Sequence, residues 1–242
     1  MSSLAPEPAA PSLLDPYIVL ASGARRQGRF ADAAGWLDLC EGELGENGSP
    51  VARLAFHSER GLLELARGRD REALASFRAA ERLAALLVPG GEAATRIKAR
   101  ILETLAFAGA TDLVETILTQ MDKRQRDAGE VRVAAAILRI LGEDPASAAE
   151  EIEPVVRGAD LDGPRSRLPA AFGVEAIARD ILGDREAAHQ ALERALDLGE
   201  PAGSVLWLRL QHAPGLLERH VRSGTSHPLL VGYVLSLLGE IV

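Results

Sequence analysis

The five histidines and one cysteine of this 242-residue chain are the side chains best suited to chemistry near neutral pH. An imidazole can ligate a metal or move a proton, and a thiolate can attack. The histidines are His57, His189, His212, His220 and His227. His212 and His220 are eight residues apart with Pro214-Gly215 between them, so they need not share a helix face. Glu218 is the only carboxylate near them in sequence, which leaves the pair short of a metal ligand set. The histidines are therefore expected at solvent-exposed or capping positions, with no metal bound. Cys40 has no partner for an internal disulfide and cannot form a cysteine zinc site alone. There is no G-x-x-x-x-G-K-[ST], H-E-x-x-H or G-x-S-x-G. No catalytic constellation and no cofactor site is expected.

Composition narrows the partners. The chain is 47% hydrophobic and 26% charged, with a formal net charge of −8. That balance provides no overall field toward nucleic acid or an anionic membrane. All but two of the 27 cationic residues are arginine, the exceptions being Lys98 and Lys123. The apolar run "PLLVGYVLSLLGEIV" is too short and broken to span a bilayer. With one cysteine and no basic n-region of a secretory signal, a reducing cytoplasm is the expected compartment.

The elements that must position any site are helices. Residues 1–13, rich in Pro, Ala and Ser, read as a disordered tail, and from residue 14 the apolar period is helical. Starts fall at "GSPVARLAF", "GGEAATRIK", "GDREAAHQA" and "GTSHPLLVG". Five turns open on a glycine that leads into a helix: Gly28, Gly68, Gly109, Gly142 and Gly183, spaced by 40, 41, 33 and 41 residues. A period of that size marks stacked helical hairpins. Five residues after each glycine stand Ala33, Ala73, Val114, Ser147 and Ala188. Nine after stand Leu37, Phe77, Leu118, Glu151 and Leu192; twelve after stand Cys40, Ala80, Met121, Pro154 and Ala195. Seven before stand Ala21, Gly61, Leu102, Ala135 and Ala176. Small residues let two helices approach, and the large one plugs the neighbouring hairpin. Cys40 thus reads as a small buried hydrophobe. The unit at Gly142 breaks the pattern with Glu151 and Pro154.

This small-large-small register resembles the tetratricopeptide repeat, with a period nearer 40 than 34. The resemblance implies an all-α, right-handed superhelix of about five hairpins over residues 14–198, followed by a C-terminal helical cap over 199–242. It also implies a concave groove lined by the first helix of each hairpin. The groove positions are Asp15, Ile18, Ser22 and Arg25, then Ser58 and Leu62, then Arg96, Glu103, Arg132, Arg139 and Asp180. Of these, Arg25, Arg96, Glu103, Arg132 and Arg139 are the candidate ligand or partner contacts, a set suited to a sugar, a carboxylate or a peptide.

The cap is expected to comprise helical pieces at 203–210, Pro214–Arg222 and Ser226 to the end, with Trp207 helping to cover the last apolar face. A repeat helix ends in "ALERALDLGEPAG", which holds Glu200, Pro201 and Gly203; an apolar segment, then "APGLLERH" with Leu216, Leu217 and Arg219, and a closing Leu-rich helix follow. Over 196–240 this order resembles the end of the sensor region in MalT-type, LuxR-family transcriptional activators. The resemblance implies a non-enzymatic domain that binds a small-molecule inducer or a regulatory protein or peptide. It implies no direct contact with nucleic acid and leaves room for an oligomer. Without that context the same fold reads as a free-standing scaffold for protein–protein interaction.

Overall fold

Several helix starts in this chain are set by short polar side chains that take up the first unpaired backbone N–H groups. In the computed structural model, Ser49 Oγ accepts from Ala52 N–H at 3.1 Å with Pro50 in the first turn. Asp144 and Asp184 accept in the same way from Ser147 and Ala187, each at 3.1 Å. The structure describes residues 14–45, 48–87, 91–158, 168–199, 215–232 and 235, and no strand occurs among them.

The helices in chain order are α1 (Leu14–Arg26), α2 (Phe30–Leu44), α3 (Pro50–Ala66), α4 (Asp70–Leu87), α5 (Glu92–Phe107) and α6 (Thr111–Gln120). They continue with α7 (Lys123–Arg126), α8 (Gly129–Leu141), α9 (Pro145–Val156), α10 (Leu168–Ile181), α11 (Arg185–Gly199) and α12 (Leu216–Ser223). Each packs chiefly on its chain neighbours: α1 with α2, α3 with α4, α8 with α9 and α10 with α11, while α4, α8 and α9 also contact α5, α5 and α10 respectively. Of the expected cap pieces, the second is α12 and the third is helical over 228–232; the piece at 203–210, with Trp207, lies outside the described residues.

At five links the chain turns by one geometry. Gly28, Gly68, Gly109 and Gly183 take φ of 74°, 75°, 75° and 85°. Each left-handed residue donates its N–H to the carbonyl three residues back, and the next residue donates to the carbonyl five back. Examples are Gly68 to Leu65 at 3.1 Å and Arg69 to Glu64 at 2.9 Å. This double bond pattern is the Schellman closure of a helix, and it needs positive φ at one residue.

In the fourth link that residue is Glu143 (φ 60°), not Gly142, whose φ is −83°. Glu143 donates to Ile140 at 3.1 Å and Asp144 to Arg139 at 2.9 Å, repeating the pattern one residue later than expected from the glycine. The shift removes the irregularity. Counted from Glu143, the register holds Ala136, Ala148, Ile152 and Val155, all buried, in place of Ala135, Ser147, Glu151 and Pro154. The glycine was a misleading anchor there because its neighbour adopts the left-handed state. The other register positions are buried as expected, Cys40 included, apart from the partly buried Leu118.

Glu143 sits where a Cβ costs energy. Glu143→Gly should therefore stabilise the fold by about 0.5–1 kcal/mol, read as a higher urea midpoint. A close approach gives the opposite sign at Gly61. A Cβ there would lie 2.6 Å from the ring of Phe77, the buried plug of the same hairpin. Gly61→Ala should cost about 1–3 kcal/mol by overpacking. Gly35→Ala in α2, with nothing within 4 Å, should gain about 0.5–1 kcal/mol in the same assay.

Candidate functional site

The candidate site lies where α12 and the segment after it fold back on α11. Residues Ala188, Leu192 and Ala195 place one face of α11 in the core. His189 and Glu193 each follow a core residue by one position, so they sit together at the edge of that face, four residues apart. Leu216 and Leu217 bury one side of α12 in the same core, and His220, one turn on, is carried in with them to 3% exposure.

The three side chains meet. His220 Nε2 lies 2.7 Å from Glu193 Oε1, a close approach without the alignment of a hydrogen bond. The rings of His189 and His220 have centroids 4.4 Å apart. One potential ligand atom from each of His189, Glu193 and His220 falls within 4.8 Å of the other two. Both ring nitrogens of His220 and Nδ1 of His189 are buried with no hydrogen-bond partner among the protein atoms. The carboxylate is held by the Thr225 hydroxyl and by Ser226 N–H at 3.3 Å. Arg219 of α12 pairs with Asp180 at the end of α10, and His227 Nε2 stands 3.0 Å from Asp197. A cavity of about 200 Å³ opens beside the two imidazoles, with Arg185, Arg219, Arg222 and Ser223 among its walls.

Electrostatics favour neutral imidazole beside carboxylate. Burial, reinforced by His189, pushes His220 below the usual histidine value despite the pull of Glu193. Burial would raise Glu193, but bonds from Thr225 and Ser226 and the neighbouring His220 outweigh it and hold the carboxyl low. His57 is also lowered, chiefly by burial and then by Arg53.

Two readings of these residues change. His220 is a buried member of a polar cluster, not an exposed or capping histidine, and its carboxylate is Glu193, 27 residues away in sequence, while Glu218 faces solvent beside Arg222 at 3.4 Å. His212 lies outside the described residues. The signal available was the His189-x-x-x-Glu193 spacing, which reads equally well as a solvated ion-pair face.

None of Arg25, Arg96, Glu103, Arg132 and Arg139 lines the cavity beside His189 and His220. Arg25 is paired with buried Glu59 through Nε and Nη2. Glu103 accepts from Arg100. Arg132 bridges Asp127 at 2.7 Å and Glu151 at 3.1 Å. Arg96 is half-buried on α5 and Arg139 is exposed on α8. Asp180 is the one expected groove residue that reaches the cavity, and it is locked to Arg219.

Comparison with family models, with curated proteins and with solved structures finds no match to this chain.

A pH dependence follows. As pH falls through the ordinary histidine range, near 6.5, the unfolded chain takes up protons that folded His57 and His220 still refuse. The unfolded state then binds more protons, so stability drops as pH is lowered below that range. The urea midpoint should be lower at about pH 5.5 than at about pH 7.5. His57→Gln should remove part of the difference; an unchanged or higher midpoint at the lower pH contradicts the assignment.

Proposed function

We propose that this chain is a non-enzymatic binding module of a regulatory protein, built as a right-handed superhelix of about five tetratricopeptide-like hairpins with a C-terminal cap. One observation carries the reading: the same Schellman turn recurs at five links, each followed by a buried residue at the fifth position and an apolar residue at the ninth and twelfth. Self-similar units of this kind bury their faces only against one another and leave a long continuous surface for a partner.

The similarity of residues 196–240 to the end of MalT-type sensor regions makes a LuxR-family regulator the proposed parent. Leu216 and Leu217 fill the core and Arg219 ties α12 to α10, so those motif positions have structural work. Glu200, Pro201 and Gly203 lie outside the described residues. On this reading a small inducer or a regulatory protein binds the module in the cytoplasm, and the module itself touches no nucleic acid.

The scaffold reading has its own support. Arg25, Glu103 and Arg132 are held in internal ion pairs instead of lining one small-molecule cavity. Pulling Arg25 from buried Glu59 would cost about 3–5 kcal/mol, more than one ligand contact returns. Arg139 is exposed and Arg96 half-buried, on the contacting helices α5 and α8, and an exposed arginine suits a broad acidic protein surface better.

The test is capture of a partner from native extract by the full chain, repeated with Arg96→Glu and Arg139→Glu together. Loss of binding by about tenfold or more supports this surface. Undiminished binding excludes it. A melting temperature raised by a sugar or metabolite and not by any protein supports the inducer-sensing form. No shift with any ligand and no retained partner ends the proposal.

A further inference from the structure

Polar groups buried in a protein interior are almost always paired, because an unpaired one forfeits its bonds to water. The cluster on α11 and α12 breaks that rule twice within one small volume. Nδ1 of His189 and Nδ1 of His220 have no hydrogen-bond partner among the protein atoms, and Nε2 of His220 meets only Glu193 Oε1, at 2.7 Å. The carboxylate beside them is oriented by Ser226 N–H on Oε2 and by the Thr225 hydroxyl on Oε1, the oxygen that also meets the His220 ring.

We infer that His189, Glu193 and His220 form a binding site for a divalent first-row transition metal such as Zn2+. Two imidazole nitrogens and one carboxylate oxygen are donors suited to such ions and poorly suited to Ca2+ or Mg2+. In a tetrahedral site with bonds of about 2.0–2.1 Å, ligand atoms stand about 3.4 Å apart. The three donor atoms already lie within 4.8 Å of one another. The remaining closure is within a side-chain adjustment of half-buried His189. Thr225 and Ser226 supply the outer bonds that fix a metal-bound carboxylate.

Three protein ligands leave a fourth position. His189 and His220 both border the cavity of about 200 Å³, whose walls include Arg185 and Arg222, so that position opens toward a cationic pocket. A water or a small anion is the ligand the pocket fits. The ligands come from two helices, so the ion would tie α12 to α11, where Leu216 and Leu217 join the core that holds Leu192 and Leu196.

The experiment uses the full chain, without a histidine tag and freed of metal with a chelator, titrated with Zn2+ by calorimetry. One equivalent of Zn2+ should bind and raise the melting temperature. Co2+ in its place should give visible d–d absorption. His189→Gln, whose side chain is half-buried and leaves the core intact, and Glu193→Gln should each weaken Zn2+ by about tenfold or more and abolish the Co2+ band. Circular dichroism checks that both variants remain helical. No stoichiometric Zn2+ on the folded wild-type protein overturns the site, leaving a His220–Glu193 ion pair. Unaltered Zn2+ affinity in both variants overturns it equally, because the ion then sits elsewhere.

Discussion

Helix stacking in this protein depends on a backbone constraint repeated at each of five links. The last turn of a helix leaves carbonyls without partners, and here two successive N–H groups turn back to meet them. That closure requires a residue at positive φ. It also fixes how many residues separate the last core position of one helix from the first core position of the next. Once the left-handed residue is placed, the fifth, ninth and twelfth residues after it point into the neighbouring helix without further instruction. The fourth link shows that the constraint is conformational before it is chemical, since Glu143 meets it at a cost that glycine avoids elsewhere.

Close packing follows from that spacing. Ala21, Ala33, Ala73, Ala136, Ala148, Ala176 and Ala188 are all buried, and their small size lets paired helices approach. Gly61 is the extreme case, since the ring of Phe77 occupies the place of a Cβ. The first hairpin forms a core cluster with Phe56 and Leu63 of α3, distinct from the main cluster that begins at Leu65. Arg25–Glu59 lies at that first junction, and buried Glu64 is surrounded by Arg60, Arg67 and Arg69, with Arg67 also donating to the Phe30 carbonyl at 2.9 Å. Such pairs add little net stability but fix register, because a wrong alignment would strand a buried charge.

At the far end the balance between apolar and polar contact reverses. The eight-residue helix α12 offers few core residues, and its position is set by Arg219–Asp180, by Glu193 with its partners, and by His227–Asp197. The same fold-back brings two histidines and a carboxylate together beside a cavity.

Read from the sequence alone, the helical class, the five links, the burial of Cys40 and the small-large-small register are legible. They depend on local chemistry, namely apolar period, capping side chains and glycines at turn positions. The fourth register was misread by one residue, because glycine identity marks tolerance of positive φ and not its presence. The ionic partners of Arg25 and Arg132 were not legible, and neither was the union of His220 with His189 and Glu193. Arg25–Glu59, Arg132–Glu151 and His220–Glu193 join residues 19 to 34 apart that sit on different helices. Periodicity sets which face each residue occupies on its own helix. Only the packing of one helix against another decides which faces meet.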